Sequence, residues 1–217
     1  MSVYLQAEGL GWAAGGEYIL LDLELEVTSG QWLAISGANG AGKTTLLALL
    51  CGRRSPSRGV VRLHGSPLPE LAPHEIGQRI AVLEHRPGLY LDLTGRENLT
   101  LMAALAGVTD ARISALLEQV GLPESAWDRR VRTYSRGMRQ RAALARVLAS
   151  QADVWLLDEP STGLDGAGRA VLVDLIGQAT ARGTAVITVS HDQEIIAQAD
   201  HHLTLERGRL NDAQGAS

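Results

Sequence analysis

Several familiar classes of protein are excluded by what this sequence lacks. Its 217 residues contain one cysteine, Cys51, so no disulfide can close within the chain, and it suits a reducing compartment. No run of about 18 apolar residues occurs, so no membrane-spanning helix is expected. The first residues show no basic region followed by an apolar segment and a cleavage site, and we read no export signal there. Internal repeats and low-complexity segments are missing as well. A net charge of −4 and a pI near 5.9 argue against a protein whose main affinity is for nucleic acid, because phosphate-backbone binding needs a dense basic surface. Lysine is almost absent: arginine supplies every other basic side chain, and Lys43 stands alone.

What is present starts from that lysine. It lies in Gly37-Ala38-Asn39-Gly40-Ala41-Gly42-Lys43-Thr44-Thr45, after the apolar run Trp32-Leu33-Ala34-Ile35 and before Leu46-Leu47-Ala48-Leu49-Leu50. This is the strand, glycine-rich loop and helix of a P-loop, G-x-x-x-x-G-K-[ST]. Glycines 37, 40 and 42 let successive N–H groups converge on phosphate oxygens, and the helix aims its positive N-terminus at the same anion. A compact ammonium reaches between phosphates where a planar guanidinium would not fit.

The hydrophobic content of 45% is ample for a core, and the length suits one large α/β domain or a core with one inserted subdomain. Residues Tyr4 to Glu8 and Leu20 to Val27 read as strands. In the second, Leu21, Leu23, Leu25 and Val27 alternate with Asp22, Glu24 and Glu26. Gly11 to Tyr18 reads as a glycine-rich turn whose Trp12 either stacks on a flat base or simply packs; Tyr18 has the same two readings. Val60 to Leu63 and Ile80 to Leu83 are further strands, and Glu84-His85-Arg86-Pro87-Gly88 leaves the latter as a loop. From Thr94 to about Leu148 the pattern is helical, with Ile113, Leu116, Leu117 and Val120 at i, i+3, i+4 and i+7. Val154 to Leu157 is a strand buried on both faces, followed by a helix from about Ala167 to Ala181 and a second buried strand, Ala185 to Val189. Ser190 and Gln193 match a capping box, and residues after about Asn211 read as a disordered tail.

Alternating strands and helices predict a mostly parallel sheet whose functional groups gather at the carboxyl ends of the strands. Three such ends carry polar residues: the P-loop, Asp158-Glu159 and Ser190-His191. Asp158 is placed to hold Mg²⁺ through its water shell while the Thr44 hydroxyl ligates the ion. Glu159 can polarise an attacking water as general base. His191 either contacts a γ-phosphate and positions Glu159, or caps a helix. The arginines at 129, 130, 132, 136, 139, 141 and 146 are either a solvated face or an anion-facing cluster.

At Tyr134-Ser135-Arg136-Gly137-Met138-Arg139-Gln140-Arg141 the sequence resembles the ATP-binding cassette (ABC) ATPases, whose signature, usually L-S-G-G-Q, sits at this place. The resemblance spans about residues 3 to 210. It implies an α/β P-loop NTPase: a mostly parallel core with an N-terminal antiparallel β region (1–85 and 152–211), an inserted helical signature subdomain (86–151) and a tail at 212–217. It further implies that Gly37 to Thr45 is Walker A, Val154 to Glu159 Walker B, Thr162 to Asp165 the D-loop, and His191 the switch histidine. Lys43, Glu159 and His191 become the catalytic group. Trp12 is the first choice to stack on adenine and Tyr18 the second. Ser135 and the Gly137 amide would meet the γ-phosphate held by a second copy. Arg136 and Met138 depart from the usual signature but resemble the Y-S-[KRG]-G-M form of bacterial export cassettes. His85 stands where a Q-loop glutamine is usual.

ATP and Mg²⁺ are the implied cofactors. The implied partners are a second copy of the chain and a separate transmembrane permease, with the ATPase peripheral on the inner face of the membrane, the segment around His85 to Tyr90 and the helical subdomain forming the coupling surface, and no nucleic acid. The His85 to Leu89 context is similar to the haem-exporter ATPases of cytochrome c maturation. Other short export cassettes share most of these traits, and an ABC ATPase of a soluble assembly, such as iron–sulphur cluster biogenesis, is a further reading.

Overall fold

The computed structural model describes residues 2–85, 88–105 and 111–213. Arg86 and Pro87 of the loop after β6, and 214–217 of the expected tail, lie outside the described residues. The chain opens with a hairpin, β1 (Val3–Ala14) and β2 (Glu17–Thr28), and then enters β3 (Trp32–Ser36), the P-loop and α1 (Lys43–Leu50). Strands β4 (Arg58–Leu63) and β5 (Ser66–Pro67), helix α2 (Pro73–Arg79) and strand β6 (Ile80–Leu83) follow. Helices α3 (Gly95–Leu105), α4 (Ala111–Gln119), α5 (Glu124–Trp127) and α6 (Arg136–Ser150) come next without an intervening strand. Strand β7 (Val154–Asp158), helix α7 (Gly166–Ala181), strand β8 (Ala185–Val189), helix α8 (Gln193–Ile196) and the hairpin β9 (His201–Glu206) and β10 (Arg209–Asp212) complete the order.

Two sheets result. The first runs β2-β1-β4-β5 and is antiparallel throughout. The second runs β10-β9-β3-β8-β7-β6, parallel except at its β10 edge. Every residue of β7 and β8 is buried, as a strand covered on both faces requires. One apolar cluster joins the two sheets through α1, with Leu46, Leu49 and Leu50 at its centre; the other joins the parallel sheet to α6, α7 and the helical region. Ile113, Leu116 and Leu117 are buried on the inner face of α4, with Val120 just past its end. Among the described residues no helix is long and apolar enough to cross a membrane.

The structure departs from the sequence reading at four places. Gly11 to Ala14 is not a turn: β1 continues to Ala14, and the reversal is confined to Gly15-Gly16, whose φ values of +59° and +87° suit a two-residue hairpin turn. In β2 the inward set is Leu20, Leu23, Leu25 and Val27, because Asp22 at φ +51° breaks the alternation and leaves Leu21 half-exposed. The cap of α8 is Asp192, whose side chain accepts from the Glu194 N–H at 3.0 Å, while the buried Ser190 hydroxyl accepts from the Asp192 N–H. Asp212, expected in a tail, is the last residue of β10 and pairs with Leu203.

Candidate nucleotide site

The order β3-β8-β7-β6 brings four carboxyl strand ends side by side. From them come the P-loop, Ser190-His191, Asp158-Glu159 and Glu84-His85. They surround a cavity of about 830 Å³. Asn39, Gly40, Gly42, Lys43, Thr44 and Thr45 form its floor, with Asp158, Glu159, His85 and His191 on the sheet side. At Gly42, φ is +101° and an added Cβ would sit 2.8 Å from Leu20, so the loop can lie against the β2 strand only without a side chain here. Gly42 caps α1 with no side-chain acceptor, which leaves the first amides of the helix turned to the loop.

Lys43 is buried and its ammonium donates to the carbonyls of Gly37 at 2.7 Å and Ala38 at 3.0 Å. Two of its three donors fix it across the loop, and the third remains for an anion. Ala41 packs against the core beneath and donates its N–H to Ala38. The Thr44 hydroxyl donates to Asp158 Oδ2 at 2.9 Å. Burial pushes the Asp158 carboxyl above the usual range and the Glu159 charge adds to this, while the Thr44 hydrogen bond, His85 and Lys43 pull it down.

Glu159 follows at φ +50°, a backbone state that a non-glycine residue adopts only when its surroundings hold it there. Its N–H donates to the Val189 carbonyl at 2.8 Å, which ties the turn to β8. One carboxylate oxygen lies 2.9 Å from His191 Nδ1. The other is buried and has no partner among the described residues. A buried acceptor without a donor, on a residue lining the cavity, fits a group brought in from outside, and a water that must lose a proton is such a group.

The remaining expected site residues are dispersed. Arg136 lines the cavity, but Ser135, Gly137 and Met138 are not among its walls. Ser135 instead caps α6, accepting from the Met138 N–H at 3.2 Å. A Cβ on Gly137 would meet the Gly163 carbonyl at 2.7 Å, so α6 starts in contact with the loop that follows β7. Asp165 caps α7 through the Gly168 N–H at 2.9 Å and receives Arg141 at 3.0 Å; the Gly168 hydrogen bond, then Arg141, holds its carboxyl below the usual range.

Neither expected aromatic reaches the cavity. Trp12 packs from β1 against the core and carries the Arg54 guanidinium 4.7 Å from its ring centre. The Tyr18 ring lies beside Gly11 and is 55% exposed. Ile19 lines the cavity in their place. Sequence reasoning missed it, and Arg169 and Asp192 with it, because none of these belongs to a motif.

A glycine-rich loop between a parallel strand and a helix, with an acidic pair ending the next strand but one, defines a P-loop nucleoside triphosphatase. The family model described as ABC transporter matches residues 20–162, and the chain belongs to that family. It is an ABC-type ATPase, the ATP-binding subunit of a transporter. It is similar to the hemin import ATP-binding protein HmuV of Rhodopseudomonas palustris (strain BisA53), with 36% identity over 97% of this chain and 82% of that one. The cytochrome c biogenesis ATP-binding export protein CcmA of Albidiferax ferrireducens is 36% identical over 85% of this chain and 88% of its own length. The Nod factor export ATP-binding protein I of Cupriavidus metallidurans is 34% identical over 96% and 70%. The fold matches the dimeric structure of MJ0796, a bacterial ABC transporter cassette, with a TM-score of 0.88 at 23% identity, over 97% of this chain and 99% of that one. A post-hydrolysis dimer of that cassette holds ADP and Pi.

Proposed function

We propose that the chain hydrolyses MgATP in a dimer of two copies, each completing the other's site, and so drives a separate transmembrane permease. The observation that carries the hydrolytic part is the Glu159 carboxylate: one oxygen is oriented by His191 and the other is buried, unpartnered and beside the P-loop. In this reading Glu159 takes the proton of the attacking water, His191 holds the carboxylate in position, and Lys43 with the α1 amides stabilises charge on the phosphates. Thr44 and Asp158, hard oxygen donors 2.9 Å apart, fit Mg²⁺, which would neutralise phosphate charge there; Asp158 would act through water. Support for two copies comes from the placement of Ser135 and Gly137 off the walls of the cavity that holds Lys43. We read Ser135 and Gly137, which stand off these walls although Arg136 lines them, as serving the γ-phosphate of another copy.

The helical region 86–151, with His85 and the loop beyond it, is our choice for the surface that meets the permease, which would hold the chain peripheral to the membrane. Haem is the proposed cargo class, supported by the relatives named for hemin import and cytochrome c biogenesis. The relative named for Nod factor export favours a second reading, another small-molecule exporter.

Phosphate release by the purified chain tests the hydrolytic part. Lys43→Ala should lower it by at least about 100-fold, on the scale of removing one charge-stabilising group; unchanged turnover would remove the loop from the site. Stimulation by hemin of the chain bound to its permease tests the cargo, and indifference to hemin would leave the second reading.

A further inference from the structure

The amino ends of the parallel strands, away from the nucleotide cavity, border a separate pocket of about 260 Å³. Its lining includes Arg112 and Leu116 of α4, Leu148 of α6, Trp155 of β7, and Arg182 and Thr184 from the turn between α7 and β8. The pocket therefore bridges the helical region and the parallel sheet. Its apolar part follows from the packing, since β7 turns Trp155 into the same cluster that holds Leu116 and Leu148.

The charges in this pocket are of one sign. Arg112 and Arg182 are exposed, no acidic side chain is in the lining, and neither guanidinium forms an ion pair among the described residues. Arg182 caps the end of α7, but its side chain is not needed there: the Ala179 and Thr180 carbonyls already accept from the N–H groups of Arg182, Gly183 and Thr184. A further donor is unspent. Trp155 is 5% exposed and its indole N–H has no acceptor among the described residues, whereas Trp32 donates to the Thr188 hydroxyl at 3.0 Å and Trp127 to the Leu122 carbonyl at 2.8 Å. Buried donors are rarely left so, and an orphan under a wall that carries two free cations points to an acceptor from outside.

We propose that this pocket binds a small organic dicarboxylate, one carboxylate on Arg112, the other on Arg182, and the carbon chain between them against Leu116, Leu148 and Trp155. A guanidinium is a planar fork that receives a carboxylate through two parallel hydrogen bonds, so two of them select a diacid over a monoacid. The apolar floor suits a short methylene chain, and the Trp155 N–H is a further donor to the carboxylate nearest to it. The volume lies below the range of about 300–1,000 Å³ usual for larger ligands and well below the 830 Å³ of the nucleotide cavity, which restricts the occupant to a few carbons.

Isothermal titration calorimetry of the whole chain with malonate, succinate and glutarate, which space their carboxylates differently, tests the proposal. At least one should bind with a dissociation constant below about 1 mM, and about tenfold or more tightly than butyrate, which has a single carboxylate. Arg112→Gln and Arg182→Gln should each weaken the best diacid by about tenfold, and Trp155→Phe, which keeps the ring and removes the donor, by about threefold. Both arginines are exposed, so their variants should fold, and retained MgATP binding reports that they do. Binding by none of the diacids, butyrate as tight as the best of them, or binding undiminished in either arginine variant overturns the inference.

Discussion

Asp158 shows at the scale of one residue how the site works against the stability of the fold. The residue is 5% exposed, and burial raises its carboxyl above the ordinary carboxylate range. The ionised form is therefore penalised in the folded state, in full above the raised value, and the penalty disappears as pH falls below the unfolded value. Asp158→Asn should stabilise the nucleotide-free protein at neutral pH by about 1 kcal/mol, with the gain vanishing near pH 3, while hydrolysis is lost. Chemical denaturation across that pH range reads the gain, and a destabilised variant would show that the charge is held by favourable contacts instead. Gly137 imposes a steric requirement: its Cβ position lies 2.7 Å from the Gly163 carbonyl. Gly137→Ala should push α6 from the loop after β7, lowering turnover about tenfold or more while nucleotide binding to the same chain's P-loop persists. Equal loss of binding and turnover would mean that the change unfolds the region.

At the scale of elements, α6 ties the helical region to the rest through arginines that the sequence leaves undecided between a solvated face and an anion site. Arg141 donates to the Val120 carbonyl at 3.0 Å and to Asp165 at 3.0 Å, joining the end of α4 to the cap of α7. Arg139 donates to the carbonyls of Val131 and Arg132, and Arg146 to that of Val82. Arg141→Ala should cost about 2 kcal/mol in thermal unfolding, since it leaves a backbone acceptor without its donor. A shift within error would mean that Asp165 and Val120 find other partners.

Such roles are hidden in a sequence because hydrogen bonds to distant backbone carbonyls leave no periodicity. Parallel strands leave a strong one: the apolar runs at 154–157 and 185–189 became β7 and β8 with every residue buried. The end of β1 was not legible, since Gly11, Ala13 and Ala14 have low strand propensity, which pairing with β2 and β4 overrides. The chemical residues of the site were legible for a related reason. A phosphate loop and a strand-end acidic pair need fixed residue types at fixed spacing, whereas an aliphatic wall such as Ile19 needs only bulk.

At the scale of the whole molecule, Ser135 and Gly137 at the start of α6 do not line the cavity that the P-loop floors. Arg136 reaches the cavity wall, but Ser135 turns its hydroxyl to the Met138 amide of its own helix. In the proposed arrangement a second copy, placed so that each Ser135 faces the other's P-loop, would supply what each chain lacks, and two nucleotides would lie between them. The sheet is suited to this because its four functional strand ends share one face, with the P-loop, the acidic pair, the histidine and the start of α6 around it.

The most direct measurement is the molar mass of the Glu159→Gln chain by sedimentation velocity, with and without MgATP. A chain that binds nucleotide but cannot activate water should run as one copy alone and as two copies with MgATP. A monomer that binds MgATP and stays monomeric, while the unmodified chain hydrolyses at a specific rate independent of its concentration, would contradict the two-copy site.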